Sequence, residues 1–288
     1  YVEEKLGATM LYLDKVNPAD RPGTTPDQLA EELVAQGAKL IIFNSDDMKD
    51  ASTTFAKANP DVKVIMASGD QVWPDGKAYE EIPNLMNIMG RMEYGKMMGG
   101  CAAALASETG KIGYLGPLIN DETRRLAASA YLGAKYCHEK AGGDPASLEF
   151  KVTWIGFWFN IPGVTLDPVQ VSNDFYTTDY DVVISGIDNP VNLGEAAKLK
   201  AEGKAVSGVA YDYVAACTAA PDVCLGVPYF NWGPEYVKAI SSAQDGSWQS
   251  TFLWVGPDWA NINNLDTSAV GFEKGPALAA DDAAVLDE

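Results

Sequence analysis

The stretch that decides the fold lies at residues 182–212 and reads VVISGIDNPVNLGEAAKLKAEGKAVSGVAYD. It begins with an apolar, β-branched run at 182–184, continues with a helix-like segment at 192–201, and returns to a second apolar run at 205–209. Apolar runs that alternate with helical segments are typical of parallel strands covered by helices on both faces. The stretch therefore predicts one strand–helix–strand unit of an α/β sheet.

The same alternation extends over most of the chain. Further apolar, β-rich runs lie at 40–43, 62–66, 112–115, 152–155 and 225–227. Helix-like segments lie at 26–36, 91–106, 121–140 and 234–244. The number of strand–helix units is larger than one compact sheet would hold. A chain of 288 residues suffices for two domains of roughly 100–150 residues. We therefore expect two α/β lobes joined by direct crossovers.

The first residues predict a helix end followed by a strand. Residues 1–7 are typical of the last turn of a helix that ends at a glycine cap, Gly7. Residues 8–13 have the composition of a strand. We expect a leader, a first strand, or both in front of Tyr1.

The composition excludes several classes of function. Lys and Arg number 21 against 40 Asp and Glu, which gives a formal charge of −19. Such an acidic chain repels nucleic-acid phosphates and anionic lipid, so we expect no nucleic-acid partner. Hydrophobic residues make up 47% of the chain, yet no apolar run approaches the ~20 residues of a membrane span.

Few residues suit catalysis. The one histidine, His138, lies in a polar stretch typical of a helix end. The chain has no nucleophile elbow, zinc-protease motif, phosphate-binding P-loop or Cys-x-x-Cys pair. Asp46 and Asp47 are adjacent in sequence, but adjacency alone does not place two carboxylates on opposite sides of a scissile bond. We expect no enzyme, no cofactor and no metal site.

The four cysteines suggest two disulfides. Cys217 and Cys224 flank a turn-rich loop that can bring their Cα atoms within bridging distance. Cys101 and Cys137 lie on two successive predicted helices and form a second candidate pair. Disulfides would place the protein in an oxidising compartment outside the cytoplasm. Buried free thiols are the alternative.

Three tryptophans lie where short apolar runs give way to Gly, Pro or Asn. They are Trp158, Trp232 and Trp254. The end of a strand is where an α/β sheet opens onto its ligand crevice, and an indole there can stack on a flat ring whose N–H groups nearby acids accept. The alternative is that these tryptophans fill cores.

Several stretches, taken in order, resemble the basic membrane lipoprotein family, the purine-nucleoside-type substrate-binding proteins of ABC importers. They are 55–64, 95–100, 109–116, 131–135, 232–236 and 245–248. The resemblance implies an α/β type I periplasmic-binding-protein fold: two Rossmann-like lobes with parallel sheets, a three-crossover hinge and a ligand enclosed between them. The expected N-terminal lobe is 1–88 plus 231–256, and the C-terminal lobe is 89–230 plus 257–288.

The resemblance also implies site residues in the C-terminal lobe. The family's acid after the strand reading Gly-Val-Asp corresponds to Asp212, and its aromatic corresponds to Trp158. Where nucleoside binders often have Lys, this chain has Asn231 or Trp232, a departure that favours a bare base such as adenine over a nucleoside. Asp188 follows another strand. For Asp212 and Asp188 the alternative is a helix N-cap.

Further candidates follow two strands of the N-terminal lobe. Ser45 and Asp46, with Asp47 beside them, come after the run at 40–43. Gly69 comes after the run at 62–66. For Asp46 and Asp47 the alternative is that they are solvent-exposed helix-capping residues.

The implied function is an extracytoplasmic solute-binding protein of an ABC importer, in the periplasm or at the cell surface, that binds a purine base or nucleoside. The expected partners are the small-molecule ligand and the permease subunits. We expect a monomer that meets the membrane only through a lipid anchor. The alternatives are a receptor for another flat heterocycle or a sugar, and a cytosolic nucleoside-processing enzyme.

Overall fold

The computed structural model describes residues 1–77 and 79–287, which divide into two compact units. Unit 1 comprises Tyr1–Arg91, Asn231–Gly256 and Leu265–Ala269. Unit 2 comprises Met92–Phe230, Pro257–Asn264 and the chain from Val270 onward. Each unit has its own sheet, and strands and helices are numbered in chain order.

Unit 1 contains a parallel sheet. In spatial order its described strands are β1 (Leu40–Asn44), β2 (Lys63–Ala67), β3 (Leu85–Gly90) and β9 (Phe252–Val255). Its helices are α1 (Val2–Leu6), α2 (Pro26–Ala35), α3 (Lys49–Ala58) and α8 (Gly233–Asp245). Because the strands are parallel, their carboxyl ends lie along one edge.

Unit 2 contains a larger, mixed sheet. In spatial order its described strands are β10 (Val270–Lys274), β8 (Cys224–Phe230), β7 (Ser207–Val209), β6 (Val182–Ser185), β4 (Lys111–Gly116) and β5 (Glu149–Trp154). β10 runs antiparallel to β8, and the other neighbouring pairs are parallel. Its helices are α4 (Met92–Ala106), α5 (Asp121–Lys140), α6 (Pro168–Thr177), α7 (Val191–Ala201) and α9 (Ala280–Val285).

Local sequence explains where several helices begin. The side chain of Asn120 accepts a hydrogen bond from the backbone N–H of Thr123, and the Thr123 hydroxyl oxygen accepts one from the Asn120 N–H. This reciprocal box satisfies two donors at the start of α5. Thr25 and Gln28 form the same arrangement ahead of Pro26 in α2.

Small residues let α4 and α5 pack closely. A Cβ on Gly100 would lie 1.9 Å from the Ala130 carbonyl oxygen, and one on Gly133 would lie 2.0 Å from that of Met97. Both contacts are with backbone, so only glycine fits at either position. The disulfide between Cys101 and Cys137 joins the same two helices, with the Cα atoms 5.1 Å apart.

The predicted alternation of strands and helices is confirmed, with exceptions. Each apolar run named above overlaps a strand, and 121–140 matches α5. The strand predicted at 8–13 is wrong: these residues are in neither helix nor strand. The sequence reasoning did not identify β3, β10, α3 or α6.

The predicted helix end at Gly7 is confirmed, because α1 ends there and Gly7 has φ of +63°. Among the described residues, every helix is too short or too polar to cross a bilayer.

Candidate functional site

The carboxyl edge of the unit 2 sheet brings three predicted site residues together. Trp158 follows β5, Asp188 follows β6 and Asp212 follows β7. β4 pairs with β5 on one side and with β6 on the other, so the order of the sheet reverses between β4 and β6. In open α/β sheets ligands bind outside the carboxyl ends of the strands at such a switch point.

A tight turn after β6 positions Asp188. The backbone N–H of Gly186 donates to the Leu115 carbonyl at 2.8 Å, and the Ser185 hydroxyl oxygen accepts from the Ile187 N–H at 3.2 Å. A side chain at Gly186 would meet the Tyr114 hydroxyl at 2.8 Å. The N-cap of α7 is Pro190, so the N-cap alternative for Asp188 is wrong.

Backbone hydrogen bonding also ties Asp188 to Trp158. The Asp188 N–H donates to the Trp158 carbonyl at 2.9 Å. The Trp158 indole is half-buried, and the Phe157 ring packs edge-on against it at 5.3 Å between centroids. One backbone hydrogen bond therefore joins the loop that carries this acid to the loop that carries the partly exposed tryptophan.

Asp212 adopts a backbone conformation that few residues accept. Its φ is +83°, in the left-handed region where Asn and Asp are the commonest non-glycine residues. The Asp212 N–H donates to the Pro228 carbonyl at 3.1 Å, and its carbonyl accepts from Phe230 at 3.3 Å. The 3-10 helix that follows, Ala216–Ala219, has Ala215 at its N-cap, so the N-cap alternative for Asp212 is wrong as well.

Lys96 of α4 is a buried basic residue at this edge, which the sequence reasoning did not select as a site residue. Its side chain is fully buried, and Nζ donates to the Ser185 carbonyl at 2.7 Å. Nζ also lies 3.3 Å from the centroid of the Tyr211 ring. A lysine within a helix of Gly, Ala and Met residues was the available signal.

Burial and neighbouring charge shift the protonation of the two acids. Desolvation, followed by the negative charges of Asp212 and Glu122, raises the pKa of Asp188 to about 8, while Lys96 opposes the shift. Asp188 is nevertheless exposed to solvent, so this acid does not lie in a sealed interior. Desolvation also raises the pKa of Asp212, again opposed by Lys96. Burial holds the pKa of Lys96 well below its ordinary value.

The unit 1 sheet places Ser45 and Asp46 at its own carboxyl edge. Ser45 is the N-cap residue of the 3-10 helix Asp46–Met48, and its carbonyl accepts from Met48 at 2.9 Å. Burial raises the pKa of Asp46, and Lys49, with Nζ 3.6 Å from Asp46 Oδ1, opposes the shift. Asp47 hydrogen-bonds to Asn17, which gives it a structural contact.

Gly69 lies in a strained loop after β2 at the same edge. Ser68 and Gly69 have φ of +70° and +72°. The buried Asn87 side chain holds the loop: its Nδ2 donates to the Gly69 carbonyl at 3.3 Å, and its Oδ1 accepts from the Gln71 N–H at 3.1 Å. Sequence reasoning missed Asn87, because a lone amide in an unrecognised strand gives no pattern.

Trp254 belongs to an aromatic cluster of unit 1. The Trp73 ring stacks on Phe252 at 5.1 Å and meets Trp254 edge-on at 5.8 Å. The Arg91 guanidinium lies 4.6 Å from the centroid of the Trp254 ring. These contacts account for the position of Trp254 within its own unit.

Trp232 and Asn231 make mainly structural contacts. The Trp232 ring stacks on Tyr236 and packs against the apolar cluster that contains Val2 and Ile240. The Asn231 amide donates to the carbonyls of Leu265 and Ser268 at 3.0 and 2.7 Å. Both side chains therefore have partners within unit 1, and their predicted contact with a ligand stays a prediction.

Comparison with known proteins finds a match to a family model over part of the chain and a likeness to a solved structure. Residues 22–144 match the family described as ABC transporter substrate-binding protein PnrA-like, which confirms the predicted resemblance. The chain is similar to an ABC transporter solute-binding protein of Aeropyrum pernix, with a TM-score of 0.71 at 14% identity over 95% of this chain and 69% of that chain. This likeness and the two α/β units confirm the type I periplasmic-binding-protein fold.

Two curated relatives are also similar in sequence. A purine-binding protein of Brucella abortus is 26% identical over 81% of this chain and 59% of its own length. A putative ABC transporter glucose-binding protein of Haloferax volcanii is 24% identical over 85% of this chain and 55% of its own length. The chain therefore spans less than two thirds of the length of these two relatives.

Proposed function

We propose that this chain is the ligand-binding part of an extracytoplasmic solute-binding protein of an ABC importer and that it binds a purine base, with adenine favoured. The observation that carries the proposal is the placement of Asp188, Asp212 and Trp158 at the carboxyl edge of the unit 2 sheet. The indole of Trp158 offers a flat surface on which a purine can stack, and the carboxyl groups can hydrogen-bond with the polar edge of that purine.

The environment of the two acids supports a site for a polar ring. Partial desolvation raises the pKa of both carboxyl groups, and a hydrogen bond made where water is partly excluded is stronger than one made in bulk water. A site built to pair with N–H groups rejects rings that lack them. The name of the Brucella abortus relative is consistent with a purine.

A sugar is the second candidate. It is supported by the name of the Haloferax volcanii relative, which is similar over 85% of this chain. Carboxylates and an aromatic ring can also bind a sugar, through its hydroxyl groups and its apolar face. The ligand that stays bound during purification distinguishes the two candidates: a purine receptor would retain a purine, and a sugar receptor a sugar.

We propose further that the protein is a binding protein without enzymatic activity and that it acts outside the cytoplasm as a monomer. The two disulfides, Cys101–Cys137 and Cys217–Cys224, support an oxidising compartment. Its partners would be the ligand and the permease subunits, with a lipid anchor as its contact with the membrane.

Mass spectrometry of small molecules released from freshly purified, denatured protein tests the ligand class. A thermal-shift panel of purines, pyrimidines, flavins and sugars accompanies it, because a ligand that binds only the folded state raises the melting temperature. We expect adenine or another purine in the released fraction. The same compound should give the largest rise in melting temperature. A shift from sugars alone would replace the purine with the second candidate.

A further inference from the structure

Asn192, near the start of α7, contacts the backbone of two neighbouring strands of unit 2. Its side chain is fully buried. The Nδ2 group donates to the Val183 carbonyl of β6 at 2.9 Å and to the Val209 carbonyl of β7 at 3.0 Å. One amide group therefore joins α7 to the backbone of both strands.

A glycine in β7 makes room for this amide. Gly208 lies beside Val183 in the pairing of β7 with β6. A Cβ at Gly208 would lie 2.9 Å from Asn192 Nδ2 and 3.0 Å from Cδ2 of Leu193. Because a side chain here would press against the amide group, the glycine lets Asn192 approach the sheet closely.

The two strands that Asn192 joins are those that lead into the acids of the candidate site. Asp188 is the third residue after the end of β6, and Asp212 is the third residue after the end of β7. Asn192 follows Asp188 by four residues, so its hydrogen bond to Val183 ties the turn that carries Asp188 back to β6. Its hydrogen bond to Val209 holds the last residue of β7, from which the chain continues to Asp212.

Packing alone does not explain an amide at this position. The Oδ1 atom of Asn192 is buried and has no hydrogen-bond partner among the described residues. An unpaired buried acceptor costs free energy, and an apolar side chain of similar size would have no acceptor to leave unpaired. What the amide supplies is its two donated hydrogen bonds to strand backbone.

We propose that Asn192 is a positioning residue for the candidate site and that it fixes the turn carrying Asp188 relative to the segment carrying Asp212. The inference rests on the proposed function and deepens it, because two acids that pair with one ligand must keep a constant spacing. A site whose side chains are held by a supporting shell of buried hydrogen bonds loses less freedom when it binds, and it therefore binds more tightly.

Amide hydrogen exchange in the ligand-free protein, followed by NMR, tests the positioning role. Asn192→Leu has a side chain of similar size and removes both donated hydrogen bonds. The matched control is Tyr176→Phe, which removes hydroxyl hydrogen bonds to the carbonyls of Asn192 and Ser207, at 3.3 and 2.9 Å, in the same buried region. Amides of β4 serve as the internal reference for global stability. Relative to them, the N–H groups of Asp188 and Asp212 should exchange about tenfold faster in Asn192→Leu than in Tyr176→Phe.

A purely structural role predicts a different exchange pattern. A loss of global stability speeds the exchange of core amides and of the two acid N–H groups alike. If the N–H groups of Asp188 and Asp212 keep pace with the β4 amides in Asn192→Leu, the proposal is wrong. Should Asn192→Leu fail to fold, Gly208→Ala replaces it, since the added methyl group would lie 2.9 Å from Nδ2 and displace the amide.

Calorimetric titration with adenine connects this position to ligand binding. We expect Asn192→Leu to weaken adenine binding by about 5- to 20-fold and Tyr176→Phe to weaken it by less than about twofold. Equal losses in the two variants would contradict a positioning role. If wild type itself binds no adenine, the proposed function fails for that ligand, whereas the exchange measurement still decides the role of Asn192.

Discussion

The indole of Trp232 lies over the phenol ring of Tyr236, with the ring centroids 6.3 Å apart and the planes within 14° of parallel. Both residues are on or next to α8 and pack against the apolar cluster of unit 1. Trp158 is also half-buried, but it lies in a loop of unit 2, where its carbonyl accepts a hydrogen bond from the Asp188 N–H. We therefore expect replacement of Trp232 to change mainly the stability of the protein and replacement of Trp158 to change mainly its ligand affinity.

We expect Trp232→Ala to lower the free energy of unfolding by about 2 to 3 kcal/mol, somewhat less than the ~3–5 kcal/mol of a fully buried tryptophan. Trp158→Ala should instead weaken purine binding by about 1 to 3 kcal/mol, which is the cost of losing a stacked ring. Urea denaturation and calorimetric titration of both variants measure the two effects. A Trp232→Ala protein of normal stability that no longer binds purine would reverse this assignment.

Asp212→Asn should change affinity without changing stability. Asn tolerates the φ of +83° at this position at least as well as Asp, so the substitution adds no backbone strain. Loss of a charge-assisted bond and creation of a mispaired group should reduce binding by about 1.5 to 3 kcal/mol. Calorimetry with adenine and a thermal melt measure both properties.

Asp179→Asn is the matched control for that experiment. Asp179 also has a positive φ, of +71°, but it precedes β6 and its side chain is 83% exposed. We expect it to bind purine normally. Similar losses in the two variants would show that the affinity change at Asp212 is a general effect of removing negative charge.

The raised pKa of Asp188 predicts how this residue affects stability with pH. The folded protein holds the Asp188 proton up to about pH 8, whereas the unfolded chain releases it near 3.8. The folded state therefore binds more protons between these values, and the contribution of this group to stability falls as pH rises through that window. Asp188→Asn removes the titrating group, so the stability of the variant relative to wild type should rise as pH increases from about 4 to about 8.

Urea midpoints of wild type and Asp188→Asn, measured at both ends of that window, give the difference. Asp179→Asn again serves as the control, because its exposed carboxylate is at the opposite end of β6. A stability difference that stays constant with pH would mean that Asp188 ionises freely in the folded protein.

The two disulfides should contribute unequally. Cys101–Cys137 closes a loop with a sequence separation of 36, and Cys217–Cys224 one with a separation of 7. Chain-entropy estimates give about 4 and about 2.5 kcal/mol respectively, because the longer loop restricts the unfolded chain more. Denaturation of the two double alanine variants, one per pair, tests this. A larger loss from the shorter loop would show that native packing outweighs loop entropy here.

The sequence alone determined the alternation of strands and helices, because apolar periodicity and end signals such as Asn120 and Pro26 act locally. It also placed Trp158, Asp188 and Asp212 after strands, which in a parallel sheet puts them at one edge. The α5 helix follows its predicted range because its cap and amphipathic face agree.

Only the tertiary structure decided which of these residues meet and in what environment. A strand needs a neighbour for its hydrogen bonds, so residues 8–13 have strand-like composition but form no strand. The burial of Lys96 and its approach to Ser185 and Tyr211 depend on contacts between residues far apart in sequence. The pKa of Asp188 follows from that packing, since desolvation and neighbouring charge exist only once the chain is folded.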